Sequence, residues 1–346
     1  MSIPRIGAVD LFCGAGGLSC GLSQAGIRVL GGVDMDEKCR FPFEENIGAK
    51  FVCQSVTEVS KKDLEKLWGK SKVRLLAGCA PCQPFSSQRR GVDTSREKEW
   101  GLLGEFERLV EETLPDYVTM ENVTGLQRQP VFASFVTRLE SLGYSVDYKV
   151  LKGENFGLPQ RRRRLVLAAS AHGPLSLPTS QEGAAVSVGE ALAGLPRLKA
   201  GEHDKSDPLH KARALSPLNL ARLRASRPGG TWLDWPEDLR APCQRRDSGQ
   251  SFKSFYGVMN PAEPSPTITT QFFNYGSGRF GHPFQERTIT PREAAILQGF
   301  PRDYRFVEPG SEITFKGLGK MIGNAVPPVF GKLVGELFTR DLQRRR

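Results

Sequence analysis

No stretch of this 346-residue chain approaches the roughly 18 consecutive apolar residues that a membrane-spanning helix requires. No charged-then-apolar leader precedes the first strand-like run, MSIPRIGAVDLF, so neither a membrane nor export by an ordinary signal is expected. Cysteine is sparse and odd in number, with seven scattered residues at positions 13, 20, 39, 53, 79, 82 and 243. A secreted disulfide scaffold would be shorter and denser in Cys, so a cytoplasmic location with reduced thiols is expected. Histidine occurs four times, at 172, 203, 210 and 282, never at paired spacing, and there is one Cys-x-x-Cys. That leaves too few partners for a four-ligand zinc site, and no metal is expected. Internal repeats, low-complexity tracts and the lysine-bearing phosphate loop of nucleotide triphosphatases are also missing.

What is present suits a folded protein. Charged residues make up 25% and hydrophobic ones 39%, enough for a packed core. The net charge is +10 and the pI about 9.3, which fits a well-solvated basic protein or one with a polyanionic partner such as nucleic acid.

The first 170 residues alternate between strand-like and helix-like runs. GAVDLF (7–12), VLGGVD (29–34), VRLLAGC (73–79), DYVTMEN (116–122) and RRLVLAAS (163–170) read as buried strands. LSCGLSQAG and EFERLVEETL have helical spacing between them. The expected fold is α/β, a doubly wound mostly parallel sheet with helices on both faces. From about His172 the texture changes: Pro, Gly and Ser rise, and residues 197–253 hold 12 Lys or Arg against 7 Asp or Glu. A second, smaller and less regular domain of mixed strands and loops is expected there. Its tryptophan-bearing run RPGGTWLDWPEDL favours a functional role over disorder. Helices return at TPREAAILQGF, with Thr290 as N-cap and Glu293 three residues on, and at PPVFGKLVGELFTRDL, with Pro in its first turn.

Two stretches carry chemistry. DLFCGAGGLSCG places Gly14, Gly16 and Gly17 between a strand and a helix, where doubly wound folds hold nucleotides. About twenty residues on, the next strand ends at Asp34, placed to accept from ribose hydroxyls, with Met35 beside it to lie against a flat base. The spacing is G-x-G-G rather than G-x-G-x-x-G, so an adenosine-bearing cofactor is indicated and a dinucleotide is not. The second stretch is AGCAPCQPFSSQ. Cys79 ends an apolar strand and fits a buried filler. Cys82 lies beyond the strand, held between Pro81 and Gln83-Pro84, and rigidity of that kind suits a nucleophile. A redox pair stays open on these residues alone.

APCQPFS resembles the Pro-Cys-Gln motif of the bacterial-type, S-adenosylmethionine-dependent DNA (cytosine-5)-methyltransferases. The family's other motifs appear in order along the chain: DLFCGAGG before it, and MENVTGL, PQRRRRL, TPREAAILQGFP and GNAVPP after it. They run from residue 8 to about 335, and only residues from about 174 to 253 lack shared motifs, where the family keeps its variable target-recognition region.

The resemblance implies a Rossmann-like methyltransferase domain, residues 1–171 plus 318–346, with a mixed target-recognition domain at 172–317 between them. It implies S-adenosylmethionine as methyl donor, with Phe12, Gly14 and Gly16 lining it. Asp34 would meet the ribose, Met35 and Leu102 the adenine, and Asn324 and Val326 would approach from the last motif. Asp34 stands where the family usually has Glu, and Ser55 where it often has Asp, so Ser55 is not assigned. Cys82 is the implied nucleophile. Glu121 is the implied proton donor to the cytosine ring, which requires it to hold a proton near pH 7, as burial would favour. Arg162 and Arg164 are the implied catalytic cations, turned to one side by strand alternation with Arg161 and Arg163 on the other. Gln83, Ser86, Asn122 and Gln160 would contact the substrate or shape its pocket. The implied partner is double-stranded DNA with its target base extruded, and a cognate restriction endonuclease is a functional partner by family habit. A monomer is expected. The rivals are the same reaction on tRNA, an idle DNA-binding protein on this fold, and a nicotinamide-dependent dehydrogenase, which would leave Cys82 and the arginines without a task.

Overall fold

The structure is a computed structural model and describes residues 5–81, 100–181, 183, 185–246, 254–312 and 314–345. The alternating first part folds as β1 (Ile6–Leu11), α1 (Gly17–Gln24), β2 (Arg28–Asp34), α2 (Arg40–Ile47), β3 (Lys50–Cys53), α3 (Lys61–Trp68), β4 (Val73–Gly78), α4 (Trp100–Thr113), β5 (Tyr117–Asn122), α5 (Pro130–Ser141), β6 (Ser145–Lys152) and β7 (Arg163–Ser170). The seven strands form one sheet in the order β3-β2-β1-β4-β5-β7-β6. The first five strands pair in parallel, and β7 inserts antiparallel between β5 and β6.

Both faces of the sheet are buried, which is why its strands read as continuous apolar runs. Alternation sends Ala8, Leu75, Ala77 and Ala168 to one layer, under α1 and the C-terminal helix. Val9, Leu11, Leu76 and Leu167 go to the other, under α3, α4 and α5. β3 and β6 add two strands that the apolar-run reading passes over. β6 lies at the sheet's edge and its residues are mostly half-exposed or exposed, yet Val146, Tyr148 and Val150 alternate as an edge strand should.

The rest of the chain carries α6 (Val188–Leu192), α7 (Pro217–Arg224), α8 (Pro291–Leu297), α9 (Phe315–Gly323) and α10 (Pro328–Arg344). Thr290 caps α8 in a capping box with Glu293, and Pro328 opens α10, as the sequence predicts. The last helix returns to the sheet. Phe338 packs on Tyr117, and the Tyr117 hydroxyl donates to Asp341 Oδ2 at 2.8 Å. α10 crosses α1 at backbone contact: a Cβ on Gly21 would stand 1.9 Å from the Pro328 carbonyl oxygen, so no larger residue fits.

One expectation for the segment after β7 needs correction. Between β7 and α8 the described residues form no strand, only isolated bridges such as His203 with Lys211 and Val258 with Gly281. Short helices, 3-10 turns and loops are joined there by single main-chain bonds, such as Val188 to Glu263 and Met259 to Gly281, and by side chains reaching main-chain groups. The tryptophans are also packing residues. Trp232 and Trp235 are buried with Leu223, Val258 and Tyr275 in a small separate core, and the Arg222 guanidinium lies over the Trp235 ring. Burial of a small aromatic cluster is what lets so irregular a segment hold a shape. No helix among the described residues is long and apolar enough to cross a membrane.

Candidate active site

The carboxyl ends of β1, β2, β4 and β5 meet at one edge of the sheet, and Phe12, Gly14, Gly16, Asp34, Glu121 and Asn122 gather there. After β1 the chain turns through three left-handed residues: Phe12 (φ 57°), Gly14 (φ 52°) and Gly16 (φ 88°). Glycine meets that demand without strain, whereas Phe12 is a bulky residue in a conformation that costs free energy. Strain of that kind persists where surrounding contacts fix it. Here the Cys13 amide donates to the Val33 carbonyl at 3.1 Å and the Gly16 amide to the Cys13 carbonyl at 2.9 Å.

Asp34, at the end of β2, holds the turn from the other side. Its Oδ2 accepts from the Gly14 amide and its Oδ1 from the Asp36 amide, both at 2.9 Å. Burial raises the Asp34 carboxyl above its ordinary value, and those two amides pull the other way. Met35, the next residue, is 77% exposed, an uncovered apolar side chain beside a carboxylate. A strained glycine turn, a fixed carboxylate with acceptor capacity and an open apolar surface together fit an adenosine group. Leu102 lies partly buried in the first turn of α4, and Asn324 is exposed at the C-cap of α9. Val326 is buried, and its carbonyl fills the space a Cβ on Gly17 would need, so it supports the turn from behind. The unassigned Ser55 has its hydroxyl 2.7 Å from that of Thr57.

The second group stands one strand away. The register Gly78↔Met120 between β4 and β5 sets Cys79 beside Glu121. The antiparallel register Asn122↔Leu165 carries Arg164 to the same place. Glu121 is 4% exposed. The Cys79 thiol donates to its Oε2 at 3.1 Å, and Arg164 Nε lies 2.8 Å from its Oε1. The latter is an ion-pair distance without hydrogen-bond alignment, so that buried oxygen keeps an unfilled acceptor position. Asn122 ties the motif together: its Nδ2 donates to the Ala80 carbonyl at 3.1 Å, and its Oδ1 accepts from the Val123 amide at 2.7 Å. It therefore shapes the start of the Pro-Cys-Gln segment. Cys82, Gln83 and Ser86 lie outside the described residues, and Pro81 is the last described residue before them.

Cys79 is not the plain filler that its strand-end position suggests, because it is a thiol partner of Glu121. The signal was present in the strand pairing rather than in composition. Arg162 also differs from expectation. It is 3% exposed, and its terminal nitrogens reach the main-chain carbonyls of Ile268 at 3.0 Å and Gly323 at 3.2 Å. A buried guanidinium needs acceptors, and these carbonyls supply them. Arg162 is thus an internal strut, and Arg164 alone of the pair reaches Glu121. Gln160 is fully buried too. It donates to the Leu297 carbonyl at 3.0 Å and to Gln298 Oε1 at 2.8 Å, and accepts from the Ile268 amide at 2.9 Å. It joins the sheet to α8 and to the loop before it, with no face toward an open pocket. Of the outward-turned arginines, Arg161 pairs with Glu263 at 2.8 Å. Among the described residues no cluster of His, Cys, Asp and Glu could hold a metal.

Comparison with known proteins gives a consistent result. The family model of the C-5 cytosine-specific DNA methylases matches residues 6–339. The Type II methylase M.HgiDII of Herpetosiphon aurantiacus is 42% identical over 344 residues, covering 98% of this chain and 96% of the relative. The Type II methyltransferase M1.HphI of Haemophilus parahaemolyticus is 32% identical over 334 residues, covering 95% and 85%. Among solved structures, a prophage-encoded chain from E. coli superposes with a TM-score of 0.75 at 22% identity, covering 98% of this chain and all of the other. The S. pombe Dnmt2 methyltransferase superposes with a TM-score of 0.62 at 18% identity, covering 99% of each. At such identities the two structures bear on the fold alone.

Proposed function

The chain belongs to the C-5 cytosine-specific DNA methylases, and from that premise we propose that it methylates cytosine within a specific duplex sequence by way of a covalent adduct to Cys82. The names of the Type II relatives support a place in a restriction–modification system. The observation that carries the reading is the cluster of Glu121, Arg164 and Cys79 at the sheet edge, at the root of the segment that bears Cys82 and one strand from the glycine turn.

Carbon 5 of cytosine is a weak nucleophile. Addition of the Cys82 thiolate to C6 makes C5 enamine-like and pushes electron density onto N3, where Glu121 supplies a proton. Arg164 stands 2.8 Å from the Glu121 carboxyl, and a guanidinium brought to the attacking thiol would favour its ionised form. S-adenosylmethionine, when bound, supplies an electrophilic methyl group to C5. Loss of the C5 proton to solvent lets the thiolate depart, and return of the N3 proton to Glu121 restores the neutral aromatic ring and the acid. Phe12, Gly14, Gly16, Asp34, Met35, Leu102 and Asn324 form the wall that would hold the donor. Asn122 and Arg162 support the base side without touching it.

The target atom lies inside the duplex stack, so the base must be extruded at a cost of a few kcal/mol. Phosphate contacts from the basic surface offset that cost. Residues 172–317 would form the recognition domain and residues 1–171 with 318–346 the catalytic one. The protein would act as a monomer in the bacterial cytoplasm, with a cognate endonuclease as a functional rather than necessarily physical partner.

Bisulfite sequencing of DNA from expressing cells would give the recognition sequence. An oligonucleotide with 5-fluorocytosine at the target then traps the adduct in the presence of donor, because fluorine cannot leave C5 as a proton does. A crosslink at residue 82 is expected, and Cys82→Ser should lose methylation while keeping sequence-specific DNA binding. Full turnover by that variant, or a crosslink elsewhere, would remove the assignment.

A further inference from the structure

The glycine turn is held from a direction that neither its own strand nor its own helix explains. Ala15, at its apex, is 3% exposed and packs into the apolar cluster that contains Phe300, Tyr304 and Phe306. Its carbonyl accepts a hydrogen bond from the Tyr304 hydroxyl at 2.6 Å, across a sequence separation of 289 residues. The other end of the same peptide, the Gly16 amide, is bonded to the Cys13 carbonyl at 2.9 Å. The Ala15–Gly16 peptide plane is therefore fixed at both its oxygen and its nitrogen. Close contact sharpens the constraint, since a Cβ on Gly16 would stand 2.9 Å from the Tyr304 hydroxyl.

Tyr304 is itself immobilised. Its ring is 2% exposed and lies 4.6 Å from Phe300 and 5.0 Å from Phe306, centroid to centroid. Its main-chain carbonyl accepts from Arg292 at 2.8 Å, and Arg292 in turn grips Asp207 with two bonds of 2.6 and 3.1 Å. Asp207 lies in the segment that carries no shared motif. A continuous line of bonds thus runs from that segment, through α8, to the turn after β1.

We propose that Tyr304 is a positioning residue for the cofactor turn: its hydroxyl holds the Ala15–Gly16 peptide in the orientation that receives the methyl donor. This rests on the reading of that turn as the S-adenosylmethionine site. Without the hydroxyl, the Ala15 carbonyl is left buried and unpaired, and the peptide can rotate away from the binding geometry. The binding surface would then have to be re-formed as the ligand enters, which lowers affinity for the donor and leaves DNA contacts alone.

Calorimetric titration of purified protein with S-adenosylhomocysteine tests this. The parent protein should bind, and Tyr304→Phe should bind about tenfold more weakly, with an unchanged Kd for duplex DNA. An unchanged constant for the compound in Tyr304→Phe, or an equal loss for compound and DNA, overturns the inference while leaving the cofactor reading in place. A parent protein that does not bind overturns both. Should Tyr304→Phe lose its cooperative melting transition, Asp207→Asn, which loosens Arg292 from outside, gives the second reading. About a threefold loss of affinity for the compound supports the proposal, and no loss removes it.

Discussion

The sheet and the segment that follows it are built on different physics. The sheet packs apolar residues on both faces, and its strands are joined by regular main-chain ladders. The segment from 172 to 290 is held by individual polar struts around small cores. His210 lies between Thr290 at 3.0 Å and the Pro196 carbonyl at 2.8 Å. Arg222 bonds the Leu239 carbonyl at 2.8 Å, and the fully buried Arg287 makes two bonds to Glu293 of 2.8 and 2.7 Å. A ladder spreads its stability over many equivalent contacts. A strut concentrates it in a few residues, each of which leaves a buried group unpaired when removed.

The largest effect should follow from breaking one strut. Arg287 is 0% exposed and Glu293 1%. Burial alone would raise the Glu293 carboxyl, but the bonds from Arg287 and His282 more than reverse it and hold it well below the usual range. Arg287→Met strands that carboxylate, and a loss of about 3–5 kcal/mol in urea unfolding is expected. Adding Glu293→Leu should recover much of it, since an apolar pair needs no partner. If the double variant is no more stable than the single one, the strut is not what holds this end of α8.

These two modes of construction also decide what the sequence discloses. Continuous apolar strands with helical runs between them follow from burial on both faces, so five of the seven strands and the glycine turn are legible in the residues. β6 is not, because an edge strand exposes half its residues and weakens the apolar signal. In the later segment no period exists to be read. Arg287, Arg292 and Arg222 look like surface charge, and only the fold shows that each is a strut. The four-arginine run shows the same limit at the site. Strand alternation correctly puts Arg162 and Arg164 on a shared side, yet it cannot tell that main-chain carbonyls from residues 268 and 323 wait there for one of them. Glu121 and Asn122 are legible from their motif, whereas the thiol bond from Cys79 follows only from strand register.

A smaller effect sharpens the contrast from the sheet's side, at the under-partnered carboxyl of Asp10. Asp10, 1% exposed near the end of β1, accepts from Ser19 Oγ at 2.7 Å through one oxygen, and the other has no partner. Burial pushes its carboxyl up to about 7, with the Ser19 bond opposing and the Asp34 charge adding. A carboxyl whose native value lies above its unfolded one favours the fold at low pH. That contribution is complete below about pH 4 and is lost as pH rises through about 7. Asp10→Asn removes the titration. Relative to the parent it should gain stability between pH 4.5 and pH 8, by at most about 4 kcal/mol. A pH-independent difference would mean that Asp10 keeps the same charge state in both folded and unfolded chains across that range.

The smallest effect is expected where the chemistry of the strut is kept and its burial is not. Arg224 Nε and Glu286 Oε2 stand 2.8 Å apart, as close as Arg287 and Glu293, and they link α7 to the loop before α8 much as a strut would. Their side chains are 61% and 55% exposed. Water solvates both charges whether or not they pair, salt screens their attraction, and holding two long side chains in one geometry costs rotamer freedom. Arg224→Ala should therefore leave the urea midpoint unchanged within error at both low and high salt. If it lowers the midpoint at low salt, and the effect fades as salt is added, the segment draws on its surface charges as well as its buried ones. The division between ladder and strut would then need a third element, a screened electrostatic belt around the irregular segment.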